Sequence, residues 1–164
     1  MTKNEEKEII KQLEVYAKNF LSENFDDVPL IVPIKLNGRL KKVLGRFVVD
    51  RWYGGSEPSV IELSKDLIRY YDKETIVSVL KHECIHYALF MLGQPFGDSD
   101  KVFIDTCKKL GASLTKQIDF KGQLHMYTCD CGNEFGRLRK LNEKKYRCGE
   151  CKSKLTFVKT SIIQ

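Results

Sequence analysis

The sequence predicts an α+β protein in which helices pack on a small, mainly antiparallel sheet and a cysteine-rich unit follows. Apolar residues recur with helical spacing in three segments, residues 3–22, 73–92 and 100–110. Apolar runs bounded by turn residues predict three strands, residues 30–36, 39–49 and 58–63. After Gly111 the pattern changes to short strand-like runs separated by pairs of cysteines. We therefore expect two domains, residues 1–120 and 121–164, with the boundary near 112–123.

Local turn and capping residues refine this prediction. Asn37-Gly38 stands between the first two strands and favours the positive φ angles of a tight turn, so we expect an antiparallel hairpin there. Pro33 cannot donate to a strand ladder, which places the first strand at a sheet edge or a bulge. The helix from residue 73 follows Asp72, a suitable N-cap, and Gly93 follows its last apolar residue.

The composition is that of an ordinary globular protein, with 42% hydrophobic and 30% charged residues. No apolar run approaches the roughly 20 residues that span a bilayer, and the charged start MTKNEEKEIIKQ lacks the apolar core of a secretory signal. We therefore expect a cytoplasmic protein with no membrane partner and, by default, a monomer. Thiols stay reduced in that compartment, so the six cysteines are expected to be ligands or buried thiols, the latter including Cys84 and Cys107.

The net charge of +6 is concentrated at the C-terminal end. Residues 121–164 carry 10 Lys and Arg against 4 Asp and Glu, whereas residues 1–120 carry 18 of each kind. A local basic excess indicates an acidic partner, with nucleic acid as the first candidate. The alternative is a solvated surface that keeps the protein soluble.

Histidine occurs three times, and His82 and His86 lie four residues apart in the segment KHECIHY. On a helix, residues at this spacing share one face, so both imidazoles can bind one zinc ion at about 2.0–2.1 Å. Glu83 is rotated by about 100° from His82 around the helix, where it can take a proton from a zinc-activated water. This H-E-x-x-H pattern is typical of zinc peptidases.

The alternative is an amphipathic helix whose two histidines are satisfied core residues. The other faces of this helix are apolar, so two histidines and a glutamate buried there without a shared role would be costly to desolvate. This context favours a metal site.

Catalytic zinc usually has three protein ligands and one open position. The nearest carboxylates after His86 are Asp98 and Asp100, in the segment GQPFGDSDKVF, and a carboxylate oxygen is a suitable ligand. Asp98 is equally well placed to cap the helix over residues 100–110. His125, 39 residues beyond His86, lies past the expected boundary.

The C-terminal cysteines form two close pairs, Cys129 with Cys131 and Cys148 with Cys151, separated by 16 residues. Each pair can supply two thiolates from a tight turn, and a hairpin between the pairs can close a tetrahedral zinc site with four cysteine ligands. The alternative is four unrelated cysteines. A four-cysteine site leaves no open position, so its expected role is to fold the unit rather than to catalyse.

The turns of this zinc ribbon have two notable features. The first pair has one intervening residue, where two are commoner, which narrows the turn. Gly132 and Gly149 are expected to give the backbone the conformational freedom that such turns need.

With these motifs in place, the chain resembles the SprT-like family, the bacterial relatives of Spartan, the DNA–protein crosslink protease. The likeness covers nearly the whole chain: an N-terminal helix, a short sheet with GRF at residues 45–47, KHECIHYALF, a helix that opens DKVF, and the tail Y-x-C-x-C…Y-x-C-x-x-C. The resemblance implies a zincin-type α+β domain in which His82 and His86 bind zinc and Glu83 is the catalytic base.

The resemblance also implies a third ligand in the loop before the DxxF-type helix, where many members have a histidine. Counting from the second motif histidine, this chain has Asp98 at that position. We therefore expect Asp98 as the third ligand, with Asp100 in reserve, and two zinc ions per chain, one catalytic and one structural.

These features favour a zinc-dependent protease that acts on proteins. The basic ribbon suggests that it contacts DNA and that nucleic-acid-bound proteins are substrates. The alternative is a non-catalytic, zinc-stabilised nucleic-acid-binding or adaptor protein, and a zinc-dependent hydrolase of a non-peptide substrate is a third candidate. The intact Glu83 favours a catalytic role, because metal binding alone does not need it.

Overall fold

The computed structural model describes residues 1–26, 28–114 and 118–164, in two compact units, Met1–Ile118 and Asp119–Gln164. We call these the N-terminal unit and the C-terminal unit. The region where the sequence predicts the boundary, 112–123, includes residues 115–117, which lie outside the described residues. Within the described ranges, no helix is long and apolar enough to cross a membrane.

The N-terminal unit begins with helix α1, Lys3–Asn24, as the apolar spacing predicts. A capping box starts the helix: the Thr2 hydroxyl accepts a hydrogen bond from the Glu5 N–H, and the Glu5 carboxylate accepts one from the Thr2 N–H. One face of α1 packs into the main hydrophobic core through Leu13, Ala17, Phe20 and Leu21.

The first sheet has the strand order β1-β3-β2, where β1 is Ile34–Asn37, β2 is Gly45–Trp52 and β3 is Gly55–Ser64. β1 runs parallel to β3, and β2 runs antiparallel to it. β1 lies at a sheet edge, as Pro33 predicts, and β2 forms the opposite edge. Of the four strand pairings in the described residues, three are antiparallel.

The prediction of a hairpin at Asn37-Gly38 is wrong, because the turn that forms there does not lead directly into a strand that pairs with β1. The Asn37 side chain accepts a hydrogen bond from the Arg39 N–H at 2.8 Å. Leu40 is then buried, and its carbonyl accepts a hydrogen bond from Ser64 Oγ at 2.9 Å. As a result β2 begins at Gly45 rather than at residue 39, and β1 pairs with β3 instead of β2.

The hairpin that does form joins β2 to β3 through Tyr53-Gly54. Gly54 has a φ of +100°, a conformation that residues with side chains rarely adopt. The residue that makes this tight turn possible is therefore Gly54, not the Asn37-Gly38 pair.

Three helices follow the sheet: α2 Lys65–Tyr70, α3 Lys73–Met91 and α4 Lys101–Leu110. α3 and α4 match the predicted helices, whereas the six-residue α2 has too few turns to show a periodic pattern. The predicted N-cap of α3 is confirmed, since Asp72 Oδ1 accepts a hydrogen bond from the Thr75 N–H at 2.7 Å.

α3 is the central helix of the N-terminal unit and contacts α1, α4, β2 and β3. Nine of its 19 residues are buried, including the polar His82 and Glu83. Cys84 on α3 and Cys107 on α4 are fully buried in the same core, which confirms them as core thiols.

The C-terminal unit is a second three-stranded sheet, fully antiparallel, in the order β5-β4-β6. Its strands are β4 Gly122–Thr128, β5 Glu134–Arg137 and β6 Thr156–Ile163. Tyr127 is completely buried between the rings of Phe135 and Phe157, and its hydroxyl accepts a hydrogen bond from the Leu141 N–H at 2.7 Å. This small core also includes Cys129 and Cys148, and a metal ion bound by the cysteines would add to the stability of so small a unit.

Candidate metal centres and a buried glutamate

The two motif histidines lie one helical turn apart on α3, with their Nε2 atoms 3.1 Å from each other. His82 Nδ1 is 3.0 Å from the Ser113 carbonyl oxygen, and His86 Nδ1 contacts that of Phe96. A carbonyl can only accept a hydrogen bond, so each Nδ1 carries the proton and each Nε2 keeps a lone pair for a metal. Burial lowers the pKa of both imidazoles, which favours the neutral, metal-binding form at pH 7.

Asp98 joins the two histidines from the loop before α4. Its Oδ1 atom is 3.3 Å from His82 Nε2 and 3.4 Å from His86 Nε2. One ligand atom from each of these three residues lies within 4.8 Å of the others. The structure thus brings together the three residues that the sequence nominates for the first metal site.

Asp100, the reserve ligand, has a different environment. It is the N-cap residue of α4, and its Oδ2 accepts a hydrogen bond from the Gly97 N–H at 2.6 Å. The N-cap of α4 is therefore Asp100 and not Asp98, the alternative that the sequence also allows. The carboxylate of Asp98 instead faces the two histidines.

Phe103 on α4 forms one wall of the histidine pair, a role that the sequence does not reveal. Its ring stacks on His86 with centroids 3.9 Å apart, and the His82 ring meets it edge-on at 4.9 Å. Phe103 belongs to the apolar pattern that predicts a helix over residues 100–110, but helical spacing cannot show which side chain of α3 it will touch. Its position in the DKVF segment, three residues after Asp100, is the available signal.

Glu83 is 2% exposed, and its side chain lies against Gly45 of β2. Burial, and then the nearby Asp98 carboxylate, raise its pKa to about 8, whereas a hydrogen bond from the Phe47 backbone acts in the opposite direction. A cation beside the carboxyl would favour its ionised form and bring the pKa down again.

A cavity of about 390 Å³ connects these groups. It is lined by His82, Glu83, His86 and Asp98, by Gly45, Arg46 and Phe47 of β2, and by Val43, Phe96 and Gly97. The buried glutamate and the three converging ligand atoms therefore face one common space.

The four C-terminal cysteines form a second cluster, within the C-terminal unit. Their sulfur atoms all lie within 4.8 Å of one another, with Cys129 and Cys131 at 3.0 Å and Cys131 and Cys148 at 3.9 Å. Sulfur atoms around a tetrahedral zinc ion, at about 2.3 Å from the metal, are about 3.8 Å apart. The predicted set of four thiols, completed by Cys151, is thus assembled with a spacing that suits zinc.

The two cysteine turns share a backbone feature that the sequence predicts only in part. The residue after the second cysteine of each pair is left-handed: Gly132 has a φ of +78° and Lys152 a φ of +59°. Gly149, which the sequence nominates for the second turn, does not have a positive φ. Lysine tolerates the conformation here because the turn is closed by the Lys152 N–H bonded to the Cys148 carbonyl at 3.2 Å.

The two units define a class of protein: an α+β unit with an H-E-x-x-H helix, followed by a ribbon with four clustered cysteines. Residues 11–121 match the SprT-like family, and residues 126–159 match the SprT-like zinc ribbon domain. The chain belongs to the SprT-like family. The ribbon match and the four-cysteine cluster together support zinc binding by the C-terminal unit.

Curated relatives agree over most of the chain. "Protein SprT-like" of Bacillus cereus (strain AH187) is 31% identical over 144 residues, which cover 85% of this chain and 90% of the relative. The protein of the same name from Bacillus thuringiensis subsp. konkukian (strain 97-27) has the same identity and coverage. A further one, from Bacillus cereus (strain G9842), is 28% identical over 156 residues, or 92% of this chain and 95% of the relative.

Proposed function

We propose that the protein is a zinc-dependent protease in which Glu83 activates the water that cleaves a peptide bond. The observation that carries this proposal is the shared cavity, onto which both the Glu83 carboxyl and the converging atoms of His82, His86 and Asp98 open. A structural metal site does not need a buried carboxyl beside its ligands, whereas hydrolysis does.

The donor set suits zinc. Two Nε2 atoms and one carboxylate oxygen, with pair distances of 3.1, 3.3 and 3.4 Å, have no proton-bearing group between them among the described residues. Acceptors this close repel one another unless a cation neutralises them. Two histidines and a carboxylate are a known ligand set of catalytic zinc, which retains an open position. When bound, zinc polarises the scissile carbonyl and lowers the pKa of water.

The residues of the chain supply the rest of the chemistry. Glu83 takes a proton from the attacking water and then delivers it to the leaving nitrogen. Its position inside a mostly apolar core strengthens its affinity for that proton. The carbonyls of Ser113 and Phe96 hold the two imidazoles in the tautomer that presents Nε2 to the cavity.

A peptide is the substrate class that the surroundings favour. β2 is an edge strand of the first sheet, and its residues Gly45, Arg46 and Phe47 line the cavity. An extended peptide can add to such an edge through main-chain hydrogen bonds, which would carry a peptide bond past the glutamate. A helix bearing the motif, packed on this strand, also supports a zincin-type arrangement for the N-terminal unit.

Nucleic acid is the proposed partner of the C-terminal unit. The basic excess over residues 121–164 lies on this unit, and a surface cavity of about 640 Å³ is lined by Arg137, Arg147 and the half-exposed Tyr146, among others. Arginine contacts phosphate, and an exposed aromatic ring can stack on a base. Substrates held on nucleic acid would then be brought to the protease.

A protease assay with a DNA-binding protein as substrate tests the proposal. We expect cleavage by the full-length protein, loss of cleavage after chelation, and recovery when zinc is restored. Metal analysis of the active sample should give two zinc ions per chain. If both sites are loaded with zinc and no protein substrate is cleaved, with or without DNA, the alternative of a zinc-stabilised nucleic-acid-binding or adaptor protein is favoured, which the basic C-terminal unit also supports.

A further inference from the structure

We propose that Gly45 is a positioning residue of the active site, because its missing side chain leaves the space that the Glu83 carboxyl occupies. The inference rests on the proposed function for its catalytic consequence, but its structural part stands on the packing alone. Gly45 is the first residue of β2 and pairs with Leu63 of β3.

The space above Gly45 is already filled by α3. A Cβ atom added to Gly45 would lie 2.7 Å from Glu83 Oε1, 2.9 Å from Glu83 Cγ and 3.0 Å from Val79 Cγ1. The first two distances are under 3.0 Å, closer than the Cβ atoms of folded proteins come to such neighbours, so at least one group would have to move. The conflict is purely spatial, since the φ of Gly45 is one that alanine can also adopt.

Glu83 is the group that must move. Val79 is fully buried in the core and lies one turn before Glu83 on the same face of α3. The clash involves Glu83 Cγ as well as the carboxyl, so rotating the terminal torsion does not relieve it. A side chain at position 45 therefore displaces the whole carboxyl from the place where it meets the Phe47 backbone and the cavity.

The metal ligands are not part of this contact. The three nearest atoms to the added Cβ belong to Glu83 and Val79, and the rings of His82 and His86 are held by separate partners, Ser113, Phe96 and Phe103. A side chain at position 45 should thus move the Glu83 carboxyl without weakening the binding of the metal.

A stability cycle tests the contact independently of activity. In the zinc-loaded protein, Gly45→Ala should lower the melting temperature by several degrees, on the order of 5 °C, as expected for overpacking a core. In a Glu83→Ala background the same substitution should cost clearly less, because most of the clash is gone. The control is Gly38→Ala, where the nearest atom to the new Cβ is the flexible Lys65 Cδ at 3.5 Å, and no comparable loss is expected.

Enzyme kinetics measure the effect of this displacement on catalysis. Gly45→Ala should lower kcat by at least about tenfold, while KM and zinc content stay close to wild type. Adding Gly45→Ala to the Glu83→Gln variant should cause no further loss of kcat. An equal melting-temperature cost in both Glu83 backgrounds, or a Gly45→Ala protein with full kcat, would overturn the inference. If wild type itself cleaves nothing, the proposed function fails, and the stability cycle still decides whether Gly45 makes room for Glu83.

Discussion

The two motif histidines of the N-terminal unit, His82 and His86, are both held in place by other residues of the unit. A backbone carbonyl accepts a hydrogen bond from Nδ1 in both His82 and His86, and the Phe103 ring packs against both imidazoles. Partners of this kind set the tautomer and the direction of the ligand, and their loss typically weakens metal binding by about 10–100-fold. Asp98, by contrast, is 65% exposed at its side chain and reaches the pair from a loop.

The two aspartates of this loop offer a matched test of the third ligand. Asp98→Asn should weaken zinc binding at the first site by at least about tenfold, because a neutral amide replaces the carboxylate that faces both Nε2 atoms. Asp100→Asn should leave zinc affinity nearly unchanged, since Asp100 bonds the Gly97 N–H and asparagine retains an acceptor. Competition with a chromophoric chelator measures both affinities. Equal affinities in the two variants would contradict the assignment of Asp98.

At the scale of elements, the sequence predicts the helices that have a periodic apolar pattern and a capping residue within their own segment. α3 has a periodic apolar pattern and an Asp72 cap, and both are confirmed. The Asn37-Gly38 turn is a local signal that tertiary contacts override, since burial of Leu40 and its bond to Ser64 direct the chain away. α2 is too short for periodicity to reveal.

Only part of the candidate site could be predicted from the spacing of residues along the sequence. Positions 82 and 86 share a helix face by geometry, so their pairing follows from the motif. The packing of Phe103 on the histidines and of Gly45 on Glu83 joins residues that are distant in sequence, and a single sequence carries no signal for such contacts. Once the fold is known, both follow from which strand and helix pack on α3.

The cap of α3 gives a prediction at this scale. Asp72→Ala should lower the free energy of unfolding of the zinc-loaded protein by about 1 kcal/mol, because the Thr75 N–H loses its acceptor. Zinc content should not change, since His82 and His86, the candidate ligands on α3, lie more than two turns from Asp72 along the helix. Denaturant titration measures the effect, with Asp50→Ala, at an exposed position of β2, as the charge-matched control. A loss of the same size in both variants would show that the cap contributes nothing specific.

At the scale of the whole molecule, the proposed function is divided between two units that differ in net charge and in their candidate metal ligands. The N-terminal unit holds three candidate ligands, a set that would leave one position on a zinc ion open, and the C-terminal unit holds four clustered thiols, a set that would close around a zinc ion. The charge excess belongs to residues 121–164. Four thiolates around one zinc ion carry a net charge of about −2, so the loaded unit is still basic.

The proposed binding of nucleic acid by the C-terminal unit leads to a test by charge reversal. Reversing Arg137 and Lys140 to Glu should weaken binding to single-stranded DNA and make the affinity less dependent on salt, by about one unit of slope for each phosphate that is no longer neutralised. Both residues are exposed on the C-terminal unit, over the rings of Phe135 and Phe157.

In the matched control, the exposed Lys7 and Lys11 on α1 are replaced by Glu, which changes the net charge by the same amount as the replacement of Arg137 and Lys140. This second pair of substitutions should have a much smaller effect on binding, because it leaves the C-terminal unit intact. Fluorescence anisotropy at several salt concentrations distinguishes the two variants. Equal losses of affinity would mean that overall charge, not the C-terminal unit, governs binding.

We propose that Glu83 is a catalytic base beside a metal ion that it does not bind, and one paired measurement on the Glu83→Gln variant tests this role. Glutamine keeps the size and shape of the side chain but cannot accept the proton, and we expect His82, His86 and Asp98 still to hold zinc in this variant. Cleavage of a DNA-bound protein should fall by at least about a hundredfold, with zinc content equal to wild type in the same sample, whereas His86→Ala should lose both zinc and cleavage. A Glu83→Gln protein that retains its zinc and cleaves at the wild-type rate would show that Glu83 is not the catalytic base.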